Sequence, residues 1–206
     1  MKNVIMLLMI LMTISCNSEK KQHKLLSLEE LNDAEYYFGL DELENVKEID
    51  SVYVYLVKEE DLNSDNKLPD ELLKYENIQL LSFRNLSLTK LNFHDLIHFQ
   101  NLQNLNLSRN KLDKIDKEIS ELKNLKVLSI EENNISELPD ELHQLTKLEK
   151  LYIGYNPISS EELLKFLSKK DPKLTIYAEK QIVIDSAFLQ LSDEEMMNLY
   201  DSLGGY

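Results

Sequence analysis

The feature that most constrains this chain is a period of 23 residues. Leu102, Leu125 and Leu148 are 23 apart, and the same spacing relates Leu105, Leu128 and Leu151, then Leu107, Ile130 and Ile153, then Asn110, Asn133 and Asn156. A fixed period of roughly 20–50 residues means that one short unit is stacked repeatedly, each copy burying its apolar side against its neighbours. Within a unit the inward residues follow Leu-x-x-Leu-x-Leu. The last two point to one side of a short strand and the residues between and around them to the other. Each unit returns the chain to the same place, so the strands must be parallel.

Written out, Leu125-x-x-Leu128-x-Ile130-x-x-Asn133-x-Ile135-x-x-Leu138-Pro139-x-x-Leu142-x-x-Leu145 resembles the leucine-rich repeat family in its 23-residue form. The resemblance implies an α/β repeat solenoid, with parallel strands on a concave face and helical caps at both ends. It covers residues 49–178. A unit of 24 starts at Ile78, and one of 29 starts at Ile49 with Val52 and Val54 inward. Downstream, Leu174 and Ile176 fit a further strand. At the ninth position an Asn side chain can both donate to and accept from the backbone of the turn. That position is Val57 in the first unit and Leu86 in the second, so an asparagine ladder is expected only from Asn110 onward.

A solenoid exposes core at its ends unless capped. Residues 27–48 are expected to form an N-terminal helical cap. Ser27-x-x-Glu30 reads as a capping box, Leu28, Leu31 and Tyr37 or Phe38 as the apolar stripe, and Gly39 as the stop. At the other end Ser159-x-x-Glu162 opens a helix with Leu163, Phe166 and Leu167. Residues 179–206 are expected to complete a C-terminal cap, with a strand over 181–185 and a helix from Ser192.

Ahead of the repeats, Lys2 and a short apolar run from Val4 to Met12 have the layout of a signal peptide over residues 1–15, too short to span a bilayer. The chain's single cysteine, Cys16, follows directly. This resembles the lipobox of bacterial lipoproteins, which implies lipidation at Cys16 and membrane attachment through that lipid. Residues 16–26 are then expected to be a flexible tether, and the protein to sit in a bacterial cell envelope, at the outer membrane in preference to the inner.

There are 37 Asp and Glu against 23 Lys and Arg, a net charge of −14. Such a surface repels polyphosphate, so nucleic acid is not the expected partner. No nucleophile, cofactor loop or metal set stands out, so neither enzyme activity nor a cofactor is expected. His94 and His98 lack a third ligand at suitable spacing. Asp61-x-Asn63-x-Asp65 has the alternation of a calcium loop, but Leu72 stands where a bidentate Glu belongs, and a solvated loop is the expectation.

The candidate functional surface is the concave face, holding a protein or peptide partner on a monomer. Tyr and Arg dominate binding hot spots. The outward and rim positions offer Tyr53, Tyr55, Arg84, Arg109, Tyr152, Tyr155 and Tyr177, with Arg109 and Glu132 placed to pair across neighbouring strands. A spacer without a specific concave ligand is the alternative.

Overall fold

The structure, a computed structural model, describes residues 23–169, 171–179 and 182–184. Its frame is one open sheet whose strands lie in chain order. They are β1 (Tyr36–Phe38), β2 (Val54–Leu56), β3 (Leu80–Ser82), β4 (Asn104–Asn106), β5 (Val127–Ser129), β6 (Lys150–Tyr152), β7 (Thr175–Glu179) and β8 (Ile182–Ile184). The first seven pair in parallel and β8 closes antiparallel on β7. The middle residues Tyr37, Tyr55, Leu81, Leu105, Leu128, Leu151 and Ile176 stand side by side. Their steps are 18, 26, 24, 23, 23 and 25 residues, so the strict period belongs to the middle of the stack.

The inward leucines do what their spacing requires. Leu105, Leu128 and Leu151 are fully buried, and Leu138, Leu142 and Leu145 of the returning segment meet them from the far side. Short 3₁₀ turns at Lys117–Glu121 and Asp140–Gln144 carry that return, where longer helices would not fit in the residues available. Asn110, Asn133 and Asn156 form the expected ladder. Asn133 Nδ2 donates to the carbonyls of Leu107 and Ile130, while its Oδ1 accepts from Leu112 N. Asn156 repeats this with Ile130, Ile153 and Ile135.

The N-terminal part departs from expectation in three ways. The helix α1 (Leu28–Asp33) has its capping box, with Ser27 Oγ accepting from Glu30 N at 3.1 Å and the Glu30 carboxylate accepting from Ser27 N at 2.7 Å. It stops at Asp33, and Tyr36–Phe38 is a strand rather than the end of that helix. Three consecutive aromatics favour a pleated surface that the edge of β2 supplies. Gly39 follows at φ +81°, a left-handed turn that leads into the short helix α2 (Leu40–Leu43).

The first repeat also begins three residues later than its apolar pattern indicates. Tyr55, not Val52, pairs with Leu81, so that Val52, Tyr55 and Val57 are the inward residues. Val57 therefore fills a core site instead of the ninth position. Three is odd and the strand period is two, so the shift turns the side chains to opposite faces.

Residues 24–26, expected to belong to a flexible tether, are held against the body instead. Gln79 and Gln103, both fully buried, grip the backbone of residues 24–26. Leu26 N donates to Gln79 Oε1 at 2.9 Å, Gln79 Nε2 donates to Lys24 O at 2.8 Å, and Gln103 Nε2 donates to Leu26 O at 2.8 Å.

At the C-terminal end Ser159 caps the helix α3 of Ser160–Leu167, which buries Leu163, Phe166 and Leu167 as expected. The expected final strand is present as β8, whereas the helix from Ser192 lies outside the described residues.

Candidate protein-binding surface

Two rows of outward side chains run across the parallel strands. One holds Tyr36, Val54, Leu80, Asn104, Val127, Lys150 and Thr175, and the other Phe38, Leu56, Ser82, Asn106, Ser129, Tyr152 and Tyr177. The surface is therefore mostly apolar across β1–β3, where only Ser82 is polar, mostly polar across β4 and β5, where only Val127 is apolar, and aromatic in one row at β6–β7.

At the C-terminal end Tyr152 and Tyr177 sit opposite each other on β6 and β7, their rings stacked with centroids 4.4 Å apart and planes 11° from parallel. Burial pushes the Tyr152 hydroxyl's pKa up, and the neighbouring Tyr177 and the negative charge of Glu131 add to it. Both rings remain half-exposed, and Tyr155 is 45 % exposed at the rim. In the last unit Ile176 rather than Leu174 pairs with Leu151, a shift of two residues that leaves Tyr177 outward and puts Ala178 in the core, 5 % exposed.

The residues that leave each strand share one conformation. Asn85, Arg109, Glu132 and Tyr155, all at the eighth position, have φ between 53° and 61°. This left-handed turn lets the amides of Asn85, Arg109 and Glu132 reach the carbonyls of Ser108, Glu131 and Gly154 in the next unit. For a non-glycine residue it costs on the order of 1 kcal/mol, and the hydrogen bonds hold it. Arg109 Nε and Glu132 Oε1 lie 2.9 Å apart, both side chains about half-exposed, so their pairing contributes under about 1 kcal/mol. Arg84 is exposed beside them on the preceding turn.

Two expected site residues do not belong to this surface. Tyr55 is fully buried, with its hydroxyl donating to Asp61 Oδ2 at 2.9 Å, and burial together with the Asp61 charge pushes its pKa strongly upward. Tyr53 lies just before β2, off the outward rows, its carbonyl accepting from the amides of Gln79 and Leu80. In their place Tyr36, Phe38, Val54 and Leu56 face outward, residues that the apolar pattern had assigned elsewhere. The tandem aromatics ahead of Gly39 were the available signal for an extra strand.

In the candidate calcium loop the leading oxygen donors are engaged by the chain itself. The Asp61 carboxylate, 7 % exposed, accepts from Leu40 N, Lys58 N and the Tyr55 hydroxyl, and Asn63 Oδ1 accepts from the amides of Asp65 and Lys67. Their lone pairs hold the loop itself. Among the described residues no group of three or more His, Cys, Asp or Glu side chains is placed to hold a metal ion.

A leucine-rich repeat family model matches residues 100–158, the part of the chain with the strict period. With seven parallel strands in one open sheet, the fold is a leucine-rich-repeat solenoid. Similar solved structures include a leucine-rich-repeat protein of Leptospira interrogans, 31 % identical with TM-score 0.49, covering 61 % of this chain and 29 % of that one. An internalin of Listeria monocytogenes is 20 % identical with TM-score 0.48, covering 68 % of this chain and 38 % of that one. Internalin C2 of the same species is 24 % identical with TM-score 0.49, covering 68 % and 55 %. This chain therefore spans less than two thirds of the length of each. The comparison with curated proteins gives no match.

Proposed function

We propose that the protein is a lipid-anchored binding module of a bacterial cell envelope, attached through Cys16 and holding a protein or peptide partner on its concave face. The observation that carries the binding role is the parallel sheet itself. It presents a half-exposed stacked pair, Tyr152 and Tyr177, with Tyr155 beyond them, on a rigid scaffold. Tyrosine brings large contact area at low rotamer entropy. Arg84 and Arg109 orient the polar part of the partner. Anchoring is supported by the single cysteine at the end of a short apolar run, and a partner held near the membrane needs only the few residues left between Cys16 and the gripped segment 24–26.

Anchoring is tested by Cys16→Ser, which should move the protein from the membrane to the soluble fraction and abolish labelling by a fatty-acid probe; unchanged fractionation and labelling would end the lipoprotein reading. Binding is tested by in-cell cross-linking. Tyr152→Ala with Tyr177→Ala should lose the cross-linked partner while the convex Lys147→Ala keeps it, and the reverse result would sink the concave assignment.

A further inference from the structure

The two ends of the concave face differ in charge as well as shape. Residues 27–62 carry twelve carboxylates against two lysines, a net of −10 within a chain whose total is −14. This acidic end also bears the most exposed aromatics among the described residues, Tyr36 at 63 % and Phe38 at 46 %. Both are outward on β1, and beside them in register stand Val54 and Leu56 of β2, then Leu80 of β3. Val54 is only 5 % exposed, being flanked by Tyr36 and Leu80, so the outward apolar residues form a continuous surface.

We propose that this N-terminal end, Tyr36, Phe38, Leu56 and Leu80 within its acidic rim, is a docking surface for a partner segment in which Lys or Arg alternates with large apolar side chains. The assignment rests on the protein-binding role and adds to it a second contact region, at the other end of the sheet, with the chemistry of the segment that occupies it. An extended segment of that kind presents its apolar side chains to the outward rows and its cations to the rim. The rim is close at hand: Glu35 precedes Tyr36, and the Glu42 carboxylate accepts from Phe38 N at 2.6 Å. The molecule already shows the chemistry at this spot. Lys58 Nζ lies 5.0 Å from the Phe38 ring centroid and 2.8 Å from Asp41 Oδ1, a cation held between an aromatic face and a carboxylate. With twelve carboxylates against two lysines over residues 27–62, the field around this spot stays strongly negative after that pairing. A lipid surface is the poorer occupant, since anionic headgroups meet the same excess of negative charge.

The test uses the purified full chain and three fluorescent twelve-residue peptides: one alternating Lys with Leu, one with Glu replacing Lys, and one with Ser replacing Leu. Anisotropy titration should show binding of the Lys–Leu peptide alone, weakened several-fold by high salt. Tyr36→Ser with Phe38→Ser should raise its Kd at least about ten-fold, whereas the convex Lys147→Ala should leave it within about two-fold. Both rings are exposed, and a thermal melt checks that the fold is kept; Glu35→Lys is the second variant and should weaken binding about three-fold or more without touching the apolar residues.

Equal binding of the Ser-containing peptide would reduce the effect to net charge and overturn the assignment. So would a silent Tyr36→Ser with Phe38→Ser variant, which would leave a concave peptide site standing but not at this end. Flotation with neutral phosphatidylcholine vesicles that is lost in the same variant would make the patch a membrane contact instead. Failure of all three peptides ends this assignment, while the cross-linking experiment on Tyr152 and Tyr177 judges the general binding role separately.

Discussion

The N-terminal and C-terminal halves of the solenoid solve one problem by different means. Each turn after a strand leaves amides and carbonyls that no strand ladder reaches, and these must be paired if buried. From Asn110 onward one side chain per unit does it, repeated at Asn133 and Asn156 with nearly the same partners. The first unit instead relies on one buried carboxylate, Asp61, which gathers two amides and a tyrosine hydroxyl from three segments of chain. In the second unit Leu86 occupies the ninth position half-buried, its amide satisfied by Asn110 of the next unit. A repeated device keeps a repeated length. A local one tolerates steps of 18 and 26 residues, and with them an altered register.

The largest expected effect sharpens the regular side. Leu128→Ala empties a fully buried site at the centre of the stack and should cost about 2–5 kcal/mol, against under about 0.5 kcal/mol for the outward Ser129→Ala. Equal midpoints in urea would break the assignment of faces.

The matching blow to the irregular side is Asp61→Ala. It strands Leu40 N, Lys58 N and the Tyr55 hydroxyl together and should cost roughly 2–4 kcal/mol. Hydrogen exchange should show protection lost in residues 36–62 before residues 100–158; a uniform loss would mean that the two halves do not differ in local stability.

Next comes the ladder. Asn133→Ala leaves the Leu112 amide and the Leu107 and Ile130 carbonyls without their partner and should cost about 1–3 kcal/mol. Leu86→Ala, at the same position one unit before the ladder begins, removes only half-buried apolar area and should cost about 1 kcal/mol. Equal costs in denaturant titrations would remove the distinction between the halves.

The smallest effect concerns pH at the C-terminal end. His143 stacks on Phe166 with centroids 4.3 Å apart, and burial lowers its pKa below the ordinary value, with Asp140 opposing and Lys169 reinforcing that shift. The unfolded chain takes up the proton near pH 6.5 while the folded one resists, so stability should fall as pH drops through that value. His143→Gln should flatten the dependence between pH 7 and 5. An unchanged slope would assign it to other groups.

Much of this was legible in the chain itself. The period, the parallel strands, the inward leucines, the ladder from Asn110, the capping box at Ser27 and the N-cap at Ser159 all follow from rules acting within one unit or between successive copies of it. What only the tertiary structure decided is which residues of the first unit face outward. Along Ile49, Val52, Val54 and Val57 more than one apolar alignment is available, and a choice wrong by an odd number exchanges the two faces. Contacts distant in sequence make that choice: Tyr55 with Asp61, β1 with β2, and Gln79 and Gln103 with residues 24–26. At the last strand the error was even, and Tyr177 stayed on its face. Alternation fixes which residues share a side, while only pairing with a neighbouring strand fixes which side it is.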